Sequence, residues 1–379
     1  MKRILHISKY YEPFKGGTEV VARNCVRALA GRCEQKVICF NHEPDTRTDQ
    51  VDGVEILRVG CFAKVASQSL SLRYGARLRK LVAGFQPDVV IFHYPNPFVA
   101  HYLLGCIPPQ AKLVIFWHLD IVRQKLLGKL FNGQNRRLVR RADRLVAASP
   151  QYAQGSPWLV GAQEKVRLIP DCIDAERLVP DARAMEKAKQ VREEAGEKIL
   201  CLAVGRHTRY KGFDVLIEAA RELDDRFLVC IAGTGEETKA LTRQARGMPH
   251  VRFLGQLDDA ALLGYMQAMD IFCFPSVTRN EAFGLALAEA MYMGKPAVTF
   301  SIPDSGVSFV CLNGEDGLEV PNADAGAFAD AIRTLADHPE LRASLGANGR
   351  RRVEENFLYE QFERRVRALM DELINEGEG

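Results

Sequence analysis

Residues 280–300 read NEAFGLALAEAMYMGKPAVTF, which has the pattern of a helix that ends at Gly294 and leads into a buried strand at 297–300. The stretch carries Glu281 at its start and Glu289 inside an apolar run. A carboxylate that is buried without a partner costs several kcal/mol, or its pKa changes until it is neutral. We therefore expect either that a polar ligand meets these two acids or that the helix turns them toward water.

The rest of the chain repeats this alternation of short β-rich runs and amphipathic stretches, which is typical of parallel βαβ units. Two series of runs are predicted as strands: 4–8, 36–40, 54–59, 88–92, 113–117, 144–148 and 166–169, then 199–204, 227–232, 251–254, 271–274, 297–300 and 318–320. Residues 181–197 between the two series are polar and helix-forming.

The length of 379 residues exceeds one ordinary core, so two domains are expected. We predict two doubly wound, Rossmann-like α/β domains that face each other across a cleft, at residues 1–175 and 176–357. A charged helix at about 359–376, in a last segment 358–379, is predicted to pack back on the N-terminal domain.

Composition is that of a globular protein, with 47% hydrophobic and 26% charged residues. No apolar run reaches the roughly 18 residues that a membrane span needs. The ten cysteines are scattered and form no CxxC pair, so neither a zinc site nor a disulfide framework is indicated. These features favour a reducing cytoplasm.

Charge is distributed unevenly along the chain. Residues 1–170 carry 26 Lys and Arg against 12 Asp and Glu, whereas residues 171–379 carry 25 against 36. Two segments hold much of the excess: Arg73, Arg77, Arg79 and Lys80, then Arg123, Lys125, Lys129, Arg136, Arg137, Arg140 and Arg141. Such a half suits anionic lipid headgroups, a phosphorylated acceptor or nucleic acid, although solvated helix faces are an equal alternative. The mixed apolar and basic segment 65–84 is the candidate membrane contact.

Ligands of open α/β sheets bind outside the carboxyl ends of the strands, so residues just after strands are the site candidates. Gly16 and Gly17 precede a helix, where amide N–H groups can approach an anion, although a tight turn explains them equally well. His93 and His118 also stand at predicted strand ends, as do the loops at 205–212, 233–235 and 275–285.

The loop at 205–212 places Arg206 and Lys211 at a strand end, and this pair suits a diphosphate unless both are simply solvated. Residues 282–285 are predicted to form the first turn of the next helix, whose free amides favour a phosphate. Glu289 follows Glu281 by eight positions and could accept hydrogen bonds from a ribose diol, with Glu281 meeting a sugar hydroxyl. Two Glu at this spacing are also common by chance.

In order along the chain, these motifs resemble the retaining GT-B glycosyltransferases of group 1, family 4. The resemblance rests on GGTE at 16–19, the strand end at His118, GRHTRYKG at 205–212, IAGTGE at 231–236, FLGQL at 253–257, and EAFGLALAE at 281–289 followed by AMYMGKPAV. It spans most of the chain and implies the GT-B fold, with an acceptor-binding first domain and a nucleotide-sugar-binding second domain.

The resemblance also implies a role for each matching residue. Arg206 and Lys211 would hold the donor diphosphate, Glu289 the ribose, and Glu281 hydroxyls of the transferred sugar. Backbone amides of Phe283, Gly284 and Leu285 would contact the sugar or the distal phosphate. Gly16 and Gly17 would approach the donor phosphates from the other domain, and His118 would lie by the reacting sugar, unless it is only a satisfied histidine at a strand end.

A narrower resemblance lies in WHLDIVRQKLLGKL at 117–130 and PDSGVSFVCLNGEDGLEVP at 303–321, which are similar to transferases of bacterial O-antigen or capsule synthesis. It implies transfer of a hexose onto a lipid-linked glycan, with mannose from GDP-mannose as the first candidate. The reaction would take place at the inner face of the bacterial inner membrane, with peripheral contact to anionic lipid. A donor carrying UDP and a hexose or N-acetylhexosamine is the alternative. Asp304-Ser305-Gly306-Val307 departs from the glycine pair and Glu that many members have, which leaves the donor open.

No Asp-x-Asp motif occurs, so we expect no metal and no cofactor beyond the donor itself. No obvious carboxylate pair suits a covalent intermediate, which favours a same-face route to retention. Three other functions are alternatives: a non-hydrolysing epimerase of the same fold, a dinucleotide-dependent oxidoreductase suggested by Gly233 and Gly235, and a non-catalytic protein that binds lipid or nucleic acid. The oxidoreductase lacks a third glycine, and no nucleic-acid motif is present.

Overall fold

The computed structural model describes residues 1–14, 16–65, 68–120 and 125–375, with the backbone alone at 64, 65, 68, 125–130 and 375. The chain divides into two compact units, the first formed by Met1–Asp171 with Glu360–Gly379 and the second by Cys172–Tyr359. Of the segments singled out in the sequence, residues 66, 67 and 121–124, which include Arg123, and residue 376 lie outside the described residues.

The first unit is built on an eight-stranded sheet. Its strands are β1 (Arg3–Ile7), β2 (Glu34–Phe40), β3 (Arg47–Val51), β4 (Val54–Val59), β7 (Val89–Tyr94), β8 (Lys112–Trp117), β9 (Arg144–Ala147) and β10 (Val166–Leu168). Between β4 and β7 the chain forms a separate two-stranded hairpin of β5 (Ala63–Val65) and β6 (Gln68–Leu70). The strand order is β10-β9-β8-β7-β1-β2-β4-β3, and all neighbours are parallel except β3 with β4. Every residue of β7 is buried, as expected for a central parallel strand.

The helices of the first unit are α1 (Gly17–Ala28), α2 (Tyr74–Phe85), α3 (Pro97–Leu104), α4 (Lys125–Arg141) and α5 (Pro150–Gly155). Two of them begin with the same local chemistry. Asn96 accepts a hydrogen bond from the Val99 amide at 3.2 Å, and Ser149 accepts one from the Tyr152 amide at 3.2 Å. A proline follows each cap at a position where no amide donor is needed.

The second unit holds a six-stranded, fully parallel sheet in the order β13-β12-β11-β14-β15-β16. Its strands are β11 (Ile199–Val204), β12 (Phe227–Ala232), β13 (Val251–Gly255), β14 (Ile271–Phe274), β15 (Ala297–Ser301) and β16 (Gly317–Pro321), and its helices are α6 (Ala182–Ala195), α7 (Phe213–Arg221), α8 (Thr238–Gln244), α9 (Asp259–Ala268), α10 (Leu285–Tyr292), α11 (Val307–Val310), α12 (Ala325–Asp337) and α13 (Pro339–Asn356). Two doubly wound α/β domains are the fold class expected from the sequence; the units divide after Asp171 and Tyr359, against predicted boundaries after 175 and 357.

The last helix, α14 (Tyr359–Asn375), packs against the first unit. Glu372 accepts hydrogen bonds from Arg144 at 2.8 and 3.0 Å and from Arg167 at 2.5 and 3.1 Å. Arg367 donates a hydrogen bond at 2.8 Å to the carbonyl of Ala28, the last residue of α1. Within the described part of the chain, no helix is long and apolar enough to cross a membrane.

All thirteen strands predicted from the sequence are present, with ends that differ by at most two residues. The prediction missed the two short strands β5 and β6. It also missed β3, because RTDQV is a polar edge strand without an apolar face. Strand β3 joins β4 through Asp52 and Gly53, whose φ angles of 51° and 77° form a tight hairpin turn. The predicted first helical turn at 282–285 is wrong: α10 begins at Leu285, because Gly284 has φ of 100° and cannot be helical.

Candidate active site

The loops after β11 and β14 meet at a buried ion pair. Lys211 Nζ donates to Glu281 Oε2 at 2.5 Å, and Ser276 Oγ donates to the same oxygen at 2.8 Å. The side chains of Lys211 and Glu281 are only 13% and 10% exposed. Ser276 falls in the loop at 275–285 but is not among the residues predicted from the sequence; its position two residues after β14 was the signal that could have found it.

Close backbone contact holds these two loops together at Gly212. Its φ is +65°, and a Cβ there would lie 1.9 Å from the carbonyl oxygen of Pro275, so no other residue fits without movement. The amide of Val277 also donates to the carbonyl of Tyr210 at 2.9 Å. Lys211 is therefore fixed against the 275–281 loop by its neighbours in the chain as well as by its own charge.

Lys211 remains charged despite its surroundings. Burial disfavours the ammonium, but the Glu281 carboxylate outweighs burial, so the pKa of Lys211 is raised above its ordinary value. The ammonium also lies over the rings of Phe274 and Tyr210, at 5.0 and 5.4 Å from their centroids. A preorganised cation of this kind can stabilise negative charge without reorienting first.

The segment Asp304-Ser305-Gly306-Val307, where the chain departs from the family pattern, supports the backbone of Glu281. Ser305 Oγ donates to the Glu281 carbonyl at 2.6 Å, and the Gly306 amide donates to the same carbonyl at 3.2 Å. A Cβ on Gly306 would lie 1.8 Å from the carbonyl oxygen of Ala282. In this chain the segment therefore fixes the loop that carries Glu281.

Helix α10 begins at Leu285, four residues after Glu281. Phe283 turns its side chain into the core, where its ring meets Phe357 edge-on with centroids 5.2 Å apart. What remains for a ligand is the backbone, since the first amides of a helix have no intrahelical partner. Leu285, the first residue of α10, thus presents its N–H group at the end of the helix that favours an anion, whereas Phe283 and Gly284 precede the helix.

Glu289 lies on α10 and is half-buried. Loss of surrounding water raises its pKa to about 7, and the nearby charges of Arg177 and Asp259 act in opposite directions. This acid is therefore easily protonated near neutral pH. Of the two expectations from the sequence, a polar ligand or a turn toward water, the structure shows a side chain that is only partly exposed to water.

Arg206 differs from Lys211 in being exposed, and within the described ranges its side chain has no ion pair or hydrogen bond. The positive charge of Arg206 disfavours the charged form of Lys211 and so acts to lower the pKa of Lys211, which means that the two cations lie near each other. An exposed guanidinium that does no structural work is available for a ligand. Arg206, Lys211, Glu281 and the α10 amides thus gather in the second unit, at the carboxyl ends of its strands.

The remaining candidates lie in the first unit. Gly16 precedes α1 with extended backbone, and Gly17 is the first residue of the helix; Lys15 lies outside the described residues. A Cβ on Gly16 would lie 2.3 Å from Glu19 Oε2. Both glycines therefore lie at the start of the helix that follows β1 in the chain.

His118 follows β8, and His93 is the fifth residue of β7 rather than a residue after it. Their rings are stacked with centroids 5.3 Å apart, and His93 Nδ1 lies 3.0 Å from His118 Nε2. Burial lowers the pKa of His118 to about 4. Burial, together with His118 and His6, lowers the pKa of His93 well below its ordinary value. Both rings are therefore neutral at pH 7.

Two family models match the chain in succession. The model described as glycosyltransferase family 4 matches residues 15–177, and the one described as glycosyl transferases group 1 matches residues 184–352. The chain is similar to the D-rhamnosyltransferase WbpZ of Pseudomonas aeruginosa, with 33% identity over 94% of this chain and 92% of that protein. It is also similar to the O-antigen chain mannosyltransferase C of Escherichia coli, with 31% identity over 94% of both.

Among solved structures, sucrose-phosphate synthase from Thermosynechococcus elongatus superposes with a TM-score of 0.83 and 22% identity, over 99% of this chain and all of that one. This likeness concerns the fold. Taken with the matches along nearly the whole sequence, it confirms the GT-B architecture and the family expected from the motifs. The chain belongs to the group 1, family 4 glycosyltransferases.

Proposed function

We propose that this glycosyltransferase transfers a hexose onto a lipid-linked glycan of a bacterial surface polysaccharide, with retention of anomeric configuration. The first candidate for the donor is GDP-mannose, which supplies mannose. The observation that carries the proposal is the buried Lys211–Glu281 pair beside the free amides that begin α10. A cation, an acid and a helix N-terminus within one pair of loops are what a sugar diphosphate requires.

Each residue has a distinct task in this proposal. Arg206 and Lys211 bind the diphosphate and stabilise the charge that develops on the leaving phosphate. Glu281 accepts hydrogen bonds from the transferred sugar through the oxygen that Lys211 and Ser276 leave free. Glu289 accepts hydrogen bonds from the ribose diol of the donor. The amides of Phe283, Gly284 and Leu285 contact the sugar or the distal phosphate.

From the first unit, the backbone at Gly16 and Gly17 approaches the donor phosphates, and His118 meets a hydroxyl of the reacting sugar. Retention follows the same-face route, in which the leaving phosphate helps to deprotonate the acceptor hydroxyl as the new glycosidic bond forms. Protein cations and amides supply the charge stabilisation in this mechanism, so the donor needs no bridging metal. Each preorganised donor of this kind contributes roughly 100- to 1,000-fold in rate.

Mannose and a bacterial polysaccharide are proposed because of the two relatives. One is named a D-rhamnosyltransferase and the other an O-antigen chain mannosyltransferase, and each aligns over more than nine tenths of this chain. A donor built on UDP, with hexose or N-acetylhexosamine, is the alternative within the same site. The two donors differ in the base and the sugar, and both offer the same diphosphate to Arg206 and Lys211.

Contact with an anionic membrane is proposed for the first unit. Helix α2 buries Tyr74, Leu78 and Val82 and exposes its basic side chains, Arg77, Arg79 and Lys80. Just before the helix, Leu72 is 88% exposed beside Arg73. An exposed apolar side chain among cations suits an anionic interface. The sequence segment 65–84 therefore acts through α2 and its approach rather than as one helix, since 68–70 is a strand.

The deciding experiment is thermal unfolding of the protein with GDP, UDP, ADP, dTDP or CMP, with and without EDTA, followed by product analysis with the matching nucleotide sugars. A ligand at 100 times its Kd adds roughly 2.7 kcal/mol to the apparent stability. We expect one nucleoside diphosphate, GDP, to stabilise selectively and with no effect of EDTA. Stabilisation by UDP alone would select the alternative donor, and no stabilisation by any nucleotide would contradict the proposed site.

A further inference from the structure

The loops after β11 and β12 are interlocked through their backbones. The glycines Gly233 and Gly235, which have no task in the proposed donor site, make this possible. A Cβ on Gly233 would lie 2.0 Å from the carbonyl oxygen of Gly205, and one on Gly235 would lie 2.4 Å from the carbonyl oxygen of His207. Gly233 also has a φ of 117°. A larger residue at either position would therefore push the backbone at 205–207 away.

Hydrogen bonds fix the backbone next to Arg206. The amide of His207 donates to the carbonyl of Thr234 at 3.0 Å, and the carbonyl of His207 accepts from the amide of Glu237 at 3.0 Å. The amide of Thr208 donates to the carbonyl of Arg206 at 2.7 Å, which closes a tight turn around His207. The loop after β12 therefore sets the point from which the Arg206 side chain leaves the backbone.

The side chain of His207 adds a second link between the same two loops. Arg206 is exposed, whereas His207 is fully buried. The ring of His207 meets the rings of Phe213 and Phe253 edge-on, with centroids 5.2 and 5.9 Å away. Its Nδ1 lies 2.9 Å from Thr238 Oγ1, within hydrogen-bond distance. Burial lowers the pKa of His207, so the ring is neutral at pH 7.

Thr238 is the first residue of α8 and closes the turn that precedes this helix. Its hydroxyl accepts a hydrogen bond from the amide of Gly235 at 2.8 Å and donates to the carbonyl of Gly235 at 2.9 Å. The contact between His207 and Thr238 thus joins the loop that carries Arg206 to the start of α8.

We propose that His207 is a positioning residue for Arg206: with Thr238 it holds the loop after β11 against the loop after β12, so that the exposed guanidinium extends from a fixed point toward the donor diphosphate. This inference rests on the proposed function for the task of Arg206, and on the geometry alone for its support. The guanidinium has no hydrogen bond or ion pair among the described residues, so its position depends on the backbone. A misplacement of about 1 Å can cost about 100-fold in rate.

The test uses the whole protein and measures transfer kinetics and, by calorimetry, the binding of inorganic pyrophosphate. His207→Phe keeps a buried ring and removes the nitrogen that faces Thr238. In the parent background we expect a kcat about tenfold lower and pyrophosphate bound about fivefold more weakly. In the Arg206→Ala background both effects of His207→Phe should be less than about twofold, because no guanidinium is left to position.

Thr238→Val removes the other end of the contact and should reproduce both effects. Thr238→Ser keeps the hydroxyl and should retain the parent values. Thr242→Val is the matched control, because the hydroxyl of Thr242 is bonded within α8, to the carbonyl of Thr238 at 2.9 Å. This control should leave both readouts unchanged.

Equal factors for His207→Phe in the two backgrounds would overturn the inference, because His207 would then act on stability or on another group. Parent values in both His207→Phe and Thr238→Val would overturn it as well. If the parent protein binds pyrophosphate without turning over any nucleotide sugar, the binding data alone decide the inference. Absence of both binding and turnover in the parent protein would contradict the proposed function, and the inference with it.

Discussion

Lys211 and Glu281 are 70 residues apart in the chain, yet their charged groups lie 2.5 Å apart in a place that water hardly reaches. The pair exists because β11 and β14 are neighbours in the sheet, so that the loops after them leave from the same edge. Ser276 and the ring of Phe274 complete its surroundings. The pair is at once a structural bond between two loops and the proposed charge of the active site.

The first prediction separates these two roles. Lys211→Met keeps the apolar stem and leaves Glu281 buried without its partner, so we expect a loss of about 3 kcal/mol in the free energy of unfolding. Glu281→Gln should lose a similar amount. The double variant should lose clearly less than the two single variants together, because neither charge is then stranded. Urea unfolding of the three variants measures this coupling, and strict additivity would contradict it.

Removal of Arg206, unlike removal of Lys211, should reduce activity with little effect on stability. As an exposed side chain without a described partner, it can be removed in Arg206→Ala with a stability change within about 0.5 kcal/mol. The transfer rate should fall by about 100-fold, since a cation that stabilises the leaving phosphate is lost.

Arg209→Ala is the matched control for that variant, because Arg209 is exposed in the same loop three positions later. Its rate should stay within a few-fold of the parent. Equal effects of the two variants on kcat/KM would mean that the charge of the loop matters and the position of Arg206 does not.

Glu289 gives the protein a pH-dependent term in stability. Its pKa is raised to about 7 in the folded protein, above its ordinary value of 4.5. The folded state therefore holds a proton that the unfolded chain releases, and stability falls as pH rises from about 4.5 to about 7. Glu289→Gln should remove this loss and be about 2 kcal/mol more stable than the parent at pH 8, with little difference at pH 4.

Thermal unfolding of parent and variant across this pH range measures the effect of Glu289. A difference that stays constant with pH would be incompatible with a raised pKa. A saturating nucleoside diphosphate should stabilise the parent protein more than Glu289→Gln if the ribose diol binds the Glu289 carboxylate.

The end of the chain offers a test of the fold itself. Hydrogen bonds from Arg167 and Arg144 hold the pKa of Glu372 below its ordinary value. Such a group contributes stability above its unfolded pKa, and the contribution disappears as pH falls through the folded one. Glu372→Gln should lower the free energy of unfolding by about 1 kcal/mol at pH 7 and by much less near pH 3.

Glu363→Gln on the same helix is the comparison, since Glu363 pairs with Arg367 at 2.8 Å one turn away. A pair of this local kind contributes about 0.3–0.5 kcal/mol. If both variants cost the same, the two arginines of the sheet do not anchor α14.

The course of both sheets could be predicted because buried parallel strands are nearly continuous apolar runs, as β7 and β12 are. The edge strand β3 could not be found from apolar alternation, although the Asp52-Gly53 turn beside it was a usable signal. Within the proposed site, Arg206, Lys211 and Glu281 follow strands, so their place after β11 and β14 could be predicted from the sequence. The bond from Ser305 to the carbonyl of Glu281 depends on a backbone contact between distant loops, and no local pattern encodes it.

Helix α14 has a consequence for how the protein is made. The first unit begins at Met1, but part of its own core, including Phe362, Val366 and Leu369, comes from residues after 359. A ribosome must therefore complete the whole second unit before the first can close its surface. During that interval the sheet of the first unit has no cover for the place where α14 will lie. Protection of the nascent chain by a chaperone would matter most in those seconds, between the emergence of residue 171 and that of Glu372.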